Sequence, residues 1–185
     1  MKRISLPKLS DFNDSQRLVY EEIKASRQGT VLDVYLMLLH SPKLADLTQQ
    51  LGKFLRYETS LSPIVSELVI LVIAKHWKSD YEWHFHSQDA LRYGLDPKII
   101  SAIKAGNKPK FKHKDQMVSY VYSNELLINR QVDDKTYNLA FDIFGENGIM
   151  ELTSLIGFYS MLAMTLNEHK VPLPSDAERE LTIIP

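Results

Sequence analysis

The chain contains no cysteine. That absence excludes disulfides, thiolate metal sites and every reaction that runs through a protein thiol. An excess of charge of one sign is lacking as well: 22 basic against 23 acidic side chains give a net charge of -1. Such a balance offers no field for nucleic acid or an anionic membrane, and neither is expected as a partner. The one basic run, "KPKFKHK" (residues 108–114), carries Pro109 and follows Gly106 and Asn107, which reads as a solvated connection. Long apolar runs are missing too. The longest, "LVILVIA" (residues 68–74), falls far short of the roughly 20 residues that a spanning helix needs. The opening "MKRISLPKLSDF" has no apolar stretch of the signal-peptide kind, so the expected compartment is the cytoplasm.

What is present is an ordinary globular mixture, 44% hydrophobic and 24% charged, in 185 residues. That length suits a single domain, 1–185, with a sizeable core. The punctuation is helical. "SPKLADLTQQLGKFLRY" opens with Ser41 as N-cap and Pro42 at the first helical position, and Leu44, Leu47, Leu51, Phe54 and Leu55 follow at helical spacing. Ser62-Pro63 repeats that opening, and Asp96-Pro97 starts a segment that closes at Gly106. A further helix runs from an Asp133 cap to Gly145, followed by the long "GIMELTSLIGFYSMLAMTLN". No run alternates as a strand would, so the expected class is all-α. The ends, "RISLPKL" and "VPLPSDAERELTIIP", are bounded by proline and expected to be extended. Glu67 and Glu151 each open a Glu-Leu-x-x-Leu segment followed by a β-branched residue, a hint of a duplicated helical unit. The first unit spans about 41–106 and the second about 114–170. Both of these helices are apolar almost all round, which suits a core or a subunit interface.

The densest chemistry lies in "YEWHFHSQDALRYG" (residues 81–94). Ser79 before it and Gly94 at its end mark a helix. On a helix, two residues mean about 200° of rotation, so His84 and His86 point apart and do not make a joint metal site. Glu82 and His86, spaced i, i+4, share a face. One Glu and one His are too few for a closed zinc site, and no metal is expected. "SDYE" (residues 79–82) also fits a capping box, with Glu82 reaching back to Ser79, and His86 also fits a core histidine bonded to a carbonyl. Spacing leaves both readings open.

Glu67 sits one turn inside an apolar helix, where an unpaired carboxylate would cost several kcal/mol. It must pair with a group such as His86 or an arginine, or take up a proton. A carboxyl with a raised pKa can donate a proton near neutral pH, whereas a buried ion pair would simply hold two helices in register. Glu151 lies nearer its helix start, where the macrodipole favours an acid, and is read as structural. Arg56, at a helix end, either complements the dipole or anchors a substrate carboxylate.

In this order the residues resemble the carboxymuconolactone decarboxylase and alkyl hydroperoxidase D superfamily. The resemblance runs from "RISLP" through "LHSPKLADLTQQLGKFLRYETSL", "ELVILVIAKHWKSDYEWHFHSQDALRYGL" and "GIMELTSLIGFYSMLAMTLN" to "VPLP". It implies an all-α alkyl hydroperoxidase D-like bundle that forms homo-oligomers, trimers or hexamers. The hydroperoxidase branch carries a Glu, a Cys-x-x-Cys pair and a His four residues after it. Those positions hold Glu67, Ser79, Glu82 and His86 here, with Tyr81 inside the pair. With both thiols replaced, thiol peroxidase activity does not carry over. The decarboxylase branch, which has a Glu four residues before the His and needs no metal or organic cofactor, is closer at this point. It implies a lyase acting on a small carboxylated or lactone-type molecule. Glu67, Glu82 and His86 would be its catalytic groups, and Arg56, Tyr81 and Trp83 would contact the substrate. The alternative is a non-enzymatic oligomeric scaffold or ligand-binding protein. An enclosed space beside His86 distinguishes the enzyme from the scaffold.

Overall fold

Among the described residues, four of the eight α-helices open on a side chain that caps them. The computed structural model describes residues 3–27, 29–175 and 177–181. It contains a single 3-10 turn at Leu9–Asp11 and the helices α1 (Asp14–Ser26), α2 (Asp33–Leu38), α3 (Pro42–Tyr57), α4 (Pro63–Trp77), α5 (Asp80–Arg92), α6 (Pro97–Lys104), α7 (Lys114–Asn129) and α8 (Asp134–His169). No strand occurs among the described residues. Asn13 and Gln16 form a reciprocal capping box at α1. Ser62, Asp96 and Asp133 accept from backbone N–H groups at the starts of α4, α6 and α8. Gly94 and Gly106 take positive φ just past α5 and α6. Gly145 interrupts α8 with φ 65° and ψ -176°, where the sequence separates two helices.

The α4 helix is the axis of the fold. Every residue from Val65 to Ala74 is buried, and α5, α6, α7 and α8 pack around it. Each fully buried Leu or Ile contributes about 1.5–3 kcal/mol, so this helix anchors the core. One face joins a large cluster with Ile23, Leu39, Leu55 and Leu155; the other joins a smaller one with Trp83, Leu95 and Ile99. Its all-round apolar surface is therefore used up inside the chain, not at a subunit interface. In α8, 61% of the most apolar 18-residue window is likewise buried within the fold.

Helix α3 buries a face made mostly of small and polar residues. Its buried residues are Ala45, Thr48, Gln49, Gly52 and Leu55, while Leu44, Leu47, Leu51 and Phe54 are exposed. Gly52 explains the choice: a Cβ there would come within 2.8 Å of the Phe158 ring and 2.9 Å of the Tyr35 hydroxyl. The small-residue face fits closely against α2 and α8, and the leucine face turns outward. The stretch 3–8 has no regular structure. Neither has most of the chain beyond α8, and residues 182–185 of the expected extended tail lie outside the described residues. Buried Asp80 fastens that tail: its Oδ1 accepts from the backbone N–H groups of Glu180 and Leu181, each at 2.7 Å.

Candidate functional site

Three helices bring their charged side chains to one place. Helix α3 supplies Arg56 near its C-terminal end, α4 supplies Glu67 from its buried length, and α5 supplies Glu82, His86 and Asp89 at i, i+4 and i+7. Glu67, Glu82 and His86 are 2%, 5% and 4% exposed. The imidazole lies between the two glutamates: Nδ1 is 2.6 Å from Glu67 Oε2, and Nε2 is 3.2 Å from Glu82 Oε2. Ser79 makes no side-chain cap bond at α5, so the capping-box reading of Glu82 does not hold. Glu82 faces the histidine instead.

Burial of His86 works most strongly against its positive charge. The charge of Glu67, the hydrogen bond to Glu67 and the hydrogen bond to Glu82 outweigh it, and Arg56 opposes them in part. The net result is a pKa pushed up to about 9. At neutral pH the ring is an imidazolium that donates from both nitrogens. Arg56 Nη1 also comes within 3.5 Å of His86 Nδ1, but two proton-bearing groups meet there, so that contact is repulsive and no hydrogen bond.

Arg56 is thereby occupied within the cluster. Its Nη2 contacts Asp89 Oδ2 and lies 3.5 Å from Glu67 Oε1. Burial lowers its basicity, while Tyr159, Glu67 and Tyr57 beside it raise it further, so the guanidinium stays charged. Asp89 also receives Arg92 Nη1 at 2.8 Å. Three basic side chains thus face three acidic ones. Glu67, His86 and Asp89 offer ligand atoms within 4.8 Å of one another, but Arg56 contacts both acids and supplies the positive charge at that spot.

Beside this cluster opens a cavity of about 620 Å³. Its wall includes Arg56, Tyr81, Glu82, His86 and Asp89, with Tyr159 from α8. The Tyr159 ring stands edge-on to His86, with centroids 5.0 Å apart, and burial holds its phenol well above the usual tyrosine range. Tyr81 is also kept neutral by burial, and its hydroxyl accepts from the Asp33 N–H at 3.1 Å. Glu67 does not reach the wall; it stands behind His86. Trp83 does not reach it either, since its ring is buried in the smaller core cluster on the other side of α5. It is a core residue rather than a substrate contact. His84 points away from the cavity, as helix rotation requires. Glu151 serves structure: its Oε2 accepts from Ser60 N at 2.8 Å and Ser60 Oγ at 2.5 Å. Sequence reasoning missed Asp89, Tyr159, Arg27 and Tyr35. Of these only Asp89 had a signal, its i+3 position from His86 on a helix already recognised.

No family model matches the sequence, and no curated protein matches it. Solved structures do. An uncharacterized peroxidase-related protein from Silicibacter sp. TM1040 superposes with a TM-score of 0.77 at 14% identity, over 98% of this chain and 96% of that one. An uncharacterized peroxidase-related protein from Ralstonia eutropha JMP134, described as an alkylhydroperoxidase AhpD core, superposes at 0.76 with 15% identity, over 94% and 93%. The fold is alkylhydroperoxidase D-like. Within that fold this chain has Ser79 and Glu82 where the resemblance places redox thiols, and it contains no cysteine anywhere. The alkylhydroperoxidase D-like frame here carries a buried carboxylate–imidazole cluster.

Proposed function

We propose that this protein is a cofactor-independent lyase of the decarboxylase type, acting on a small carboxylated or lactone-type molecule through proton transfer. The observation that carries this reading is the buried Glu67–His86–Glu82 array set against an open cavity. A scaffold would have filled that space with side chains.

Glu82 is the member of the array that meets the substrate. It lines the cavity, its Oε2 faces His86, and its Oε1 has no hydrogen-bond partner. Loss of CO2 breaks one carbon–carbon bond and moves its electron pair through the conjugated system to the lactone carbonyl oxygen. Tyr159, a neutral phenol on the wall, is placed to donate to that oxygen. The His86 imidazolium passes its Nε2 proton through the Glu82 carboxylate to the carbon, and water restores the imidazolium when product leaves. Glu67 and Arg56 are positioning residues: they fix the ring and its charge from behind.

The test is CO2 release from a panel of unsaturated lactone acids by wild type and by His86→Gln. Wild-type turnover with a loss of roughly 10²–10⁴-fold in the variant is expected, the usual contribution of a positioned acid–base group. Turnover unchanged in His86→Gln would overturn the mechanism. A wild type with no turnover on any lactone acid would overturn the lyase reading.

A further inference from the structure

Besides His86, four basic side chains line the cavity: Arg27, Lys53, Arg56 and Arg92. Three have acidic partners. Lys53 pairs with Glu58 at 3.2 Å, Arg56 with Asp89 and Glu67, and Arg92 with Asp89. Arg27 forms no ion pair with any described residue. Its guanidinium is held by an aromatic ring instead. The guanidinium carbon lies 4.2 Å from the centre of the Tyr35 ring, and Nη2 donates to the Tyr35 hydroxyl at 2.5 Å. Its Nε is buried and has no hydrogen-bond partner. Tyr35 is itself buried and fixed against Gly52, so the guanidinium is preorganised at a defined place on the wall.

We infer that Arg27, presented by Tyr35, is the anion-binding residue of the cavity, and that it takes the carboxylate of a planar, unsaturated or aromatic acid. This rests on the cavity being the substrate site. The assignment moves the carboxylate anchor from Arg56, whose Nη2 already meets both Asp89 and Glu67, to a residue at the C-terminal end of α1. A guanidinium without an acidic partner suits a carboxylate, because its donors form a planar fork that matches two oxygens. The neighbouring wall sets the rest of the ligand: Tyr57, Tyr81, Phe85 and Tyr93 present rings on which a flat molecule can stack. A carboxylate seated on Arg27 is one the protein holds by ion pairing. A carboxylate that leaves as CO2 is favoured by an apolar setting, so Arg27 orients the ligand and takes no part in bond breaking.

Isothermal titration at neutral pH with benzoate, trans-cinnamate and the neutral benzamide tests this without requiring turnover. The wild type is expected to bind the two carboxylates and to bind benzamide far more weakly. Arg27→Met is expected to weaken benzoate binding by roughly ten- to hundredfold, while Arg27→Lys keeps part of it. Tyr35→Phe removes the hydroxyl partner but keeps the ring, and should weaken binding less than Arg27→Met. Benzoate binding unchanged in Arg27→Met overturns the assignment, as does a wild type that binds benzamide equally well or binds none of the three. Loss of binding in Arg27→Met and Arg27→Lys alike, with both melting as the wild type does, would show that the anchor needs the guanidinium fork. Failure of CO2 release would sink the lyase reading while this binding result still stood.

Discussion

His86 holds its proton because two carboxylates grip it from opposite sides and Arg56 braces one of them. Its ordinary pKa of 6.5 is lifted to about 9. A group whose folded pKa exceeds its unfolded value contributes stability that is complete below the unfolded pKa. That contribution is lost as pH rises through the folded one. Stability should therefore fall from about pH 6.5 through about pH 9, and His86→Gln should flatten that slope in chemical denaturation. The His86 ring signals followed by NMR should titrate with a midpoint near 9, and Glu67→Gln should lower that midpoint by removing the largest favourable contribution. A midpoint unmoved by Glu67→Gln would mean that Glu82 alone carries the effect.

At the scale of elements, the close fit of α3 decides how the cavity is floored. Gly52 lines it, and the Tyr35 hydroxyl and Phe158 ring sit where a Cβ would go. Gly52→Ala should destabilise the protein by about 1–3 kcal/mol, the usual cost of overpacking, read as a lowered melting temperature. An unchanged melt would show that Tyr35 and Phe158 can move aside. Helix starts at Ser41, Ser62, Asp96 and Asp133 could be read from the sequence because each cap announces itself beside a proline or an apolar run. The Glu82–His86 face was legible for the same reason. Helices α1 and α2 were not read, although "NDSQ" (residues 13–16) carries a capping-box pattern, and with them went Arg27 and Tyr35. The facing of α3 was not legible, because periodicity finds a stripe without saying which side is buried. A single glycine fitted against two rings outweighed four large apolar residues.

For the whole molecule, Leu44, Leu47, Leu51 and Phe54 make an exposed apolar stripe along α3. We propose that this stripe, and not the fully buried α4, is where copies of the chain meet in the homo-oligomer that the sequence resemblance implies. A double variant, Leu47→Glu with Leu51→Glu, should reduce the mass measured by light scattering to that of one chain while the helical circular dichroism signal persists. A wild type that is monomeric, or a variant with undiminished mass, would refute this placement. Tyr57, one turn beyond Phe54, lines the cavity, so the same helix borders both the stripe and the site.

Asp80 gives the molecule an order of assembly. It stands in the first turn of α5, two positions before Glu82, and it holds the backbone at Glu180 and Leu181, 100 and 101 residues away. Contacts of such separation are slow to form, since a long chain must close before they yield any gain. During synthesis the helix that bears Glu82 and His86 emerges first, and the partner of its first turn follows 100 residues later. The nascent chain can therefore have its core helices in place and still lack a finished site.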